Sequence, residues 1–356
     1  MSEVLLFVMA LFAVVGAADR ILGNRLGLGK EFEDGITAMG SLALAMLGII
    51  CLAPVLAGLL RPVVVPVFRL LGADPAMFAG SLLACDMGGG ALAMELTEDP
   101  QAGLFGGVLC GSMLGATVVF TIPVAMGILK EEDRPFLAKG ILAGVVTIPL
   151  GLFVGGLLTG MPILRILGNL VPIVLIAGLI ALGLWKAENA MIKGFAVFGK
   201  GIIALITAGL AAGIFEAVTG IRLIPGLAPI EEGFQTVGAI AIVLAGAFPL
   251  VAVLTKLLRK PLLKLGIILG INETAAAGLI ASLANSIATF SLVKDMDDRG
   301  KVVNIAFAVS AAFVFGDHMG FAAGFAPQML PAMIVGKLVG GVSAVVVAMV
   351  LTAKEK

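Results

Sequence analysis

Residues able to do chemistry in this 356-residue chain collect at four places inside otherwise apolar runs. Asp86 stands just before Gly88, Gly89 and Gly90 in "LLACDMGGG" (82–90). Asn285 and Ser286 lie in "LANSIATF" (283–290), and Asp317 with His318 in "FGDHMGF" (315–321). Thr121 and Pro123 lie in "VVFTIP" (118–123). A charge at the centre of a bilayer costs at least about 2.5–3.5 kcal/mol on insertion scales, so such residues face a protein interior or water. Consecutive glycines loosen a helix and release carbonyls that must find partners in a cavity. Carboxylates with free carbonyls suit a small cation. The hydroxyls, the amide and the imidazole of Thr121, Ser286, Asn285 and His318 suit a group that both donates and accepts.

A structural reading competes at each place. Asp86 can cap a broken helix, and Asp317 can be held by local hydrogen bonds. His318 can be a packed neutral imidazole that orients Asp317. Asn285 and Ser286 can bond between helices as in any bundle. Glu216 reads as an interfacial charge, and most of the 48 glycines read as close helix packing.

Composition narrows the chemistry further. The chain is 60% hydrophobic and 13% charged with a mean hydropathy of +1.16, against roughly 25% charged residues in soluble domains. It reads as an all-α polytopic membrane protein. Net charge is zero, so nucleic acid is not an expected partner. One His, one Trp and no Tyr exclude multi-histidine metal sites, haem pairs and a tyrosine cage. Cys51, Cys85 and Cys110 are odd in number, lie in apolar spans and show no zinc or disulfide spacing. A membrane enzyme would need a Ser–His dyad, a multi-His zinc site or metal-spaced aspartates. Here Asp317 and His318 are adjacent, and no i, i+4 acidic pair lies in a span. Neither an enzyme nor a resident cofactor or metal is expected, and a coupling proton or sodium ion stays open.

The elements that must position these residues are apolar segments at 3–19, 36–60, 76–96, 102–129, 136–158, 168–185, 200–219, 234–258, 274–293, 302–326 and 331–352. The first lacks the basic start of a signal peptide and reads as a retained helix. The stretch 61–72, interrupted by Pro62 and Pro66, is expected to lie along the membrane interface. The run 302–326 places Asp317 and His318 deep in one long span. At an offset of 198 the chain matches itself, with 15 identities in 55 positions between 32 and 86. This predicts two repeats, 1–158 and 198–356, joined by a linker region (159–197) carrying the helix 168–185. The acid of the first, Asp86, corresponds to Asn285 with a one-residue shift.

Lysines and arginines decide the crossings, because they gather on the cytoplasmic side. Eleven crossings divide the 23 of them 13 to 10, whereas hairpins that dip in and return at 76–96 and 274–293 divide them 18 to 5. Re-entry of the second hairpin alone gives 17 to 6, and the repeat, which demands like treatment of both segments, breaks the tie. The expected architecture is two inverted repeats, each of four spanning helices plus a re-entrant hairpin, with the N-terminus outside and the C-terminus cytoplasmic. Inverted repeats with broken helices and a midplane site mark secondary transporters. The alternative is an eleven-span bundle with two broken helices.

Long stretches of the sequence resemble the ethanolamine permeases of ethanolamine-utilization operons. They are "PAMFAGSLLACDMGG" (75–89), "INETAAAGLIASLAN" (271–285), "KDMDDRGKVVNIAFAVSAAFVFGDHMGF" (294–321) and "MIVGKLVGGV" (333–342), together with 32–56. The resemblance covers essentially the whole chain. The loop near Gly23–Lys30 is shorter than in some members. The resemblance implies passage of ethanolamine across the bacterial cytoplasmic membrane to feed its catabolism. It supplies no site residues, so the site rests on Asp86, Gly88, Gly89, Thr121, Asn285, Ser286, Asp317 and His318. Carrier and passive facilitator of the neutral amine both stay open. An elevator-type carrier is a fold-level analogy, and such proteins usually need a scaffold partner, so a homo-oligomer is compatible with it.

Overall fold

A backbone that leaves water must satisfy its own amides, and a helix does so within one segment. The computed structural model describes residues 2–353, apart from the side chains of Leu258, Arg259 and Leu262, and all regular elements among them are helical. Seven described stretches are long and apolar enough to cross a bilayer: Ser2–Ile21, Leu28–Leu70, Pro100–Ile128, Glu131–Leu158, Ile163–Thr219, Ile230–Leu257 and Pro327–Ala353. The chain is a multi-pass membrane protein.

In order, α1 (Ser2–Ile21) and α2 (Leu28–Leu70) precede two short helices, α3 (Ala76–Leu82) and α4 (Gly90–Leu96). A long crossing follows, α-helical at α5 (Pro100–Leu104) and α6 (Ile122–Ile128) and π-helical over Phe105–Gly115 and Thr117–Thr121. Then come α7 (Arg134–Val145), α8 (Ile148–Leu158), α9 (Ile163–Thr219) and α10 (Ile230–Leu269). The chain closes with α11 (Glu273–Ala284), α12 (Ser286–Leu292), α13 (Asp298–Ala311), α14 (Asp317–Phe325) and α15 (Leu330–Ala353).

Three features differ from the sequence expectation. First, 61–72 is not a separate interfacial piece, because α2 runs unbroken through Pro54, Pro62 and Pro66. Proline removes one backbone hydrogen bond and bends a helix, but packing can hold both halves together. Buried Val64 and Phe68 supply that packing, the Phe68 ring meeting Phe78 edge-on at 6.1 Å. With 43 residues α2 is about 65 Å long, roughly twice the hydrocarbon thickness. Second, α9 is two arms. Ala187 leaves helical geometry (φ −144°, ψ 47°). A Cβ on Gly183 would sit 2.7 Å from Met191 Cγ, eight residues on, where a straight helix separates such residues by about 12 Å. The expected linker helix is the first of these arms. Third, the run 302–326 is not one continuous helix. It ends as α13 and restarts as α14 after a turn in which Phe313 takes φ 61°.

The two short-helix pairs fold back on themselves. At the base of the first, Asp74 Oδ2 accepts from the Thr97 hydroxyl at 2.9 Å, Asp74 Oδ1 accepts from Ala76 N–H, and Asn169 Oδ1 accepts the Asp74 N–H. Burial raises the Asp74 carboxyl above its usual range, and the bonds from Ala76 and Thr97 pull it back. At the base of the second, Asn272 N–H donates to Asp297 Oδ1 at 2.8 Å, and its side-chain amide donates to Asp295 O at 3.0 Å. Midway, the Ser282 and Thr289 hydroxyls meet at 2.8 Å and tie α11 to α12. The carbonyls of Ser282 and Leu283, orphaned at the end of α11, accept from Phe313 N–H and Phe315 N–H in the turn before α14. The second helix pair thereby fixes the break that presents Asp317.

The tie at the first base is directly testable. Asp74→Cys combined with Thr97→Cys is expected to form an intramolecular disulfide on mild oxidation, detected by peptide mass spectrometry. The native cysteines are all buried and stay silent. Failure to cross-link in folded protein would contradict the adjacency of the two ends.

Candidate functional site

The interruption between α3 and α4 places the first acid. Leu83 and Ala84 are extended, and Cys85–Gly89 then form one wide turn leading into α4. Gly88 has φ 86°, a region that an L side chain enters only with strain, and a Cβ there would run into Ile49 Cγ2. Gly89 packs against the Leu83 and Ala84 carbonyls, its N–H donating to Ala84 O at 2.9 Å. The two glycines therefore shape the turn that carries Asp86.

The second break places Asp317 as the first residue of α14, where free N–H groups and the helix dipole favour a carboxylate. His318 follows and is buried. Its ring lies 5.1 Å from Phe313, which in turn meets Phe120 edge-on at 5.5 Å. Phe313 carries the strained φ of the turn, so backbone strain is concentrated beside the imidazole.

A third charged residue, not picked out in the sequence, completes the cluster. Lys337 on α15 is only 1% exposed. Its ammonium donates to Ser112 O at 2.5 Å and lies 3.1 Å from His318 Nδ1. The other face of the imidazole puts Nε2 3.8 Å from Asp86 Oδ1. Ser112 belongs to the π-helical stretch Phe105–Gly115, whose longer hydrogen-bond register leaves backbone groups open at functional sites. The available signal was its position as the lone charge in the apolar run 331–352.

Two cavities meet here. One, of about 280 Å³, has Asp86, Asp317, His318, Phe120, Phe313 and Ser41 in its walls. The other, of about 400 Å³, includes Asp317, Gly316, Asn285, Thr255, Lys256 and Glu31. Asp317 belongs to both. Asn285 caps α12 through Oδ1, which accepts from Ile287 N–H at 2.7 Å. Thr121, Ser286, Gly88 and Gly89 are buried and line neither cavity.

The arrangement suits a monovalent cation. Asp86 and Asp317 wall one cavity, and the resident Lys337 ammonium approaches Asp86 only through His318, so Asp317 has no fixed cation in this cluster. The rings of Phe120 and Phe313 offer π faces to the same guest. Cys85, Asp86 and His318 also place a thiol, a carboxylate and an imidazole within 4.8 Å of one another, the donor types of a transition-metal site. The Lys337 ammonium against that imidazole opposes a dication there.

A family profile described as ethanolamine utilisation protein, EutH, matches residues 1–351. The chain belongs to the EutH family. A relative from Listeria monocytogenes named "Probable ethanolamine permease EutH" is 59% identical over 322 residues, 90% of this chain and 86% of that protein. The Bacillus subtilis protein named "Uncharacterized protein YxeR" is 53% identical over 322 residues, 90% of this chain and 87% of its own length. The Escherichia coli protein, again named "Probable ethanolamine permease EutH", is 48% identical over 392 aligned positions, 99% of this chain and 96% of its own. No solved structure matches.

Gly88→Ala is expected to destabilise the folded protein by about 1–3 kcal/mol through backbone strain alone, read as a lower melting temperature in detergent. Combined with Ile49→Ala, the loss should be smaller than the sum of the two single losses, because the clash partner is gone. Strict additivity would show that the contact carries none of the cost.

Proposed function

We propose that this chain is a permease that moves ethanolamine across the bacterial cytoplasmic membrane for its catabolism. Membership of the EutH family and the names of its relatives supply the substrate. The observation that carries the site is the cavity shared by Asp86, Asp317 and His318. Protonated ethanolamine is a small ammonium with one hydroxyl. Its ammonium sits between the Asp86 and Asp317 carboxylates against Phe120 and Phe313, and its hydroxyl meets His318. Asn285 faces the second cavity, where a guest leaving the first finds Asp317 still beside it. Gly88 and Gly89 act by holding Asp86, while Thr121 and Ser286 support the walls from behind.

The proposed topology is two inverted repeats with re-entrant hairpins, nine crossings, an outer N-terminus and an inner C-terminus, of which residues 354–356 lie outside the described set. Its support is the pair of folded-back segments tied at related places: Asp74 and Asn272 are 198 residues apart, as are their partners Thr97 and Asp295. The fold-back at Ala187 supplies an eighth crossing, and α13 with α14 a ninth. Two broken helices meeting at a polar pocket favour a carrier over a fixed pore. Uptake into proteoliposomes with proton and sodium gradients imposed separately distinguishes a coupled carrier, which concentrates ethanolamine, from a facilitator, which only equilibrates it.

Asp86→Asn and Asp317→Asn each remove one charged acceptor, a loss of about 1.5–3 kcal/mol. Each should weaken ethanolamine binding and uptake by roughly ten- to a hundredfold at that energy. Wild-type binding and uptake by both folded variants would sink the proposed site.

A further inference from the structure

We propose that Lys337 is a positioning residue that locks His318 in one tautomer, Nδ1 bare and Nε2 protonated, and thereby makes the imidazole the selector for an alcohol. A lysine ammonium has three N–H donors and no acceptor. With Ser112 O at 2.5 Å and His318 Nδ1 at 3.1 Å, the groups bonded by Nζ both act as acceptors. Nδ1 must then present its lone pair, and the ring proton resides on Nε2. Both contacts are buried, so no solvent competes for them.

That proton sits on the ring nitrogen nearest an Asp86 oxygen. The 3.8 Å between Nε2 and Oδ1 exceeds hydrogen-bond range, so neither atom satisfies the other directly. One oxygen placed about 2.8 Å from each spans the gap, accepting from Nε2–H and donating to the carboxylate. A hydroxyl does both at once. A methyl group in its place leaves Nε2–H and Oδ1 without partners in a buried site, the situation in which a binding site rejects an analogue most strongly. The ligand class is a short amino alcohol, discriminated from the alkylamine of equal charge. The hydroxyl assignment rests on the ethanolamine reading, whereas the tautomer does not.

The test separates the two. His318 is the chain's single histidine, so ¹⁵N-histidine labelling of the full-length protein gives one unambiguous imidazole spectrum. The expected wild-type spectrum has an unprotonated Nδ1 and a protonated Nε2. Lys337→Met should let Nδ1–H appear. A protonated Nδ1 in the wild type, whether alone or in an imidazolium, overturns the proposal. Binding of ethanolamine and ethylamine is then compared on the same samples. Their affinity ratio should fall about tenfold or more in Lys337→Met and His318→Leu. His318→Gln, whose amide both accepts and donates, should retain most of it and guards against misfolding of the other two. Unchanged ratios in folded Lys337→Met and His318→Leu overturn the selector role. A wild type that binds neither amine refutes the ethanolamine reading while leaving the tautomer intact.

Discussion

The site depends on an ammonium held out of water. Lys337 is sealed inside a bundle in which the only compensation for its charge is what the protein brings to it. A carbonyl from a π-helical stretch, an imidazole and, one step further, a carboxylate meet it there. Each of these lies where regular α-helix is interrupted. Ser112 sits in the widened register of Phe105–Gly115, Asp86 in the turn between α3 and α4, and His318 just after the break between α13 and α14. An uninterrupted bundle would satisfy its own backbone and have nothing left to offer the lysine.

The same interruptions create the room for a guest. At the two breaks the backbone turns away from its own axis, leaving Asp86 and Asp317 on the wall of one cavity and Asp317 on the wall of a second. The turn before α14 is not free to relax, because its Phe313 and Phe315 amides are bonded to the end of α11. Strain at Phe313 is thus sustained from the second folded-back pair, which is bonded to the turn that presents the acid both cavities share. Movement of α11 and α12 has a direct route to Asp317.

Much of this was legible before any coordinates, for a physical reason. Charges and consecutive glycines are expensive in an apolar span, so Asp86, Gly88, Asp317 and His318 stood out against their surroundings. Other parts were not legible. Lys337 was hidden by its single-residue signal and by a charge count that treats every lysine as a loop residue. Thr121 and Ser286 looked as available as Asn285, yet composition cannot say which side of a helix faces a cavity, and both are buried and line neither of the two. The continuity of α2 through three prolines was invisible, since it depends on packing by Val64 and Phe68 rather than on local propensity. The break at 312–316 was equally hidden, because its amides are satisfied by Ser282 and Leu283, about thirty residues away in sequence.

The central claim is that one ethanolammonium ion sits between Asp86 and Asp317 with His318 at its hydroxyl end. The most direct measurement is a structure of the full-length protein determined with ethanolamine at saturating concentration. The account predicts ligand density in the cavity walled by Asp86, Asp317, Phe120 and Phe313, its oxygen within hydrogen-bond reach of His318 Nε2. Density confined to the Asn285 cavity, or an empty Asp86 cavity in protein shown to bind ethanolamine, would contradict it.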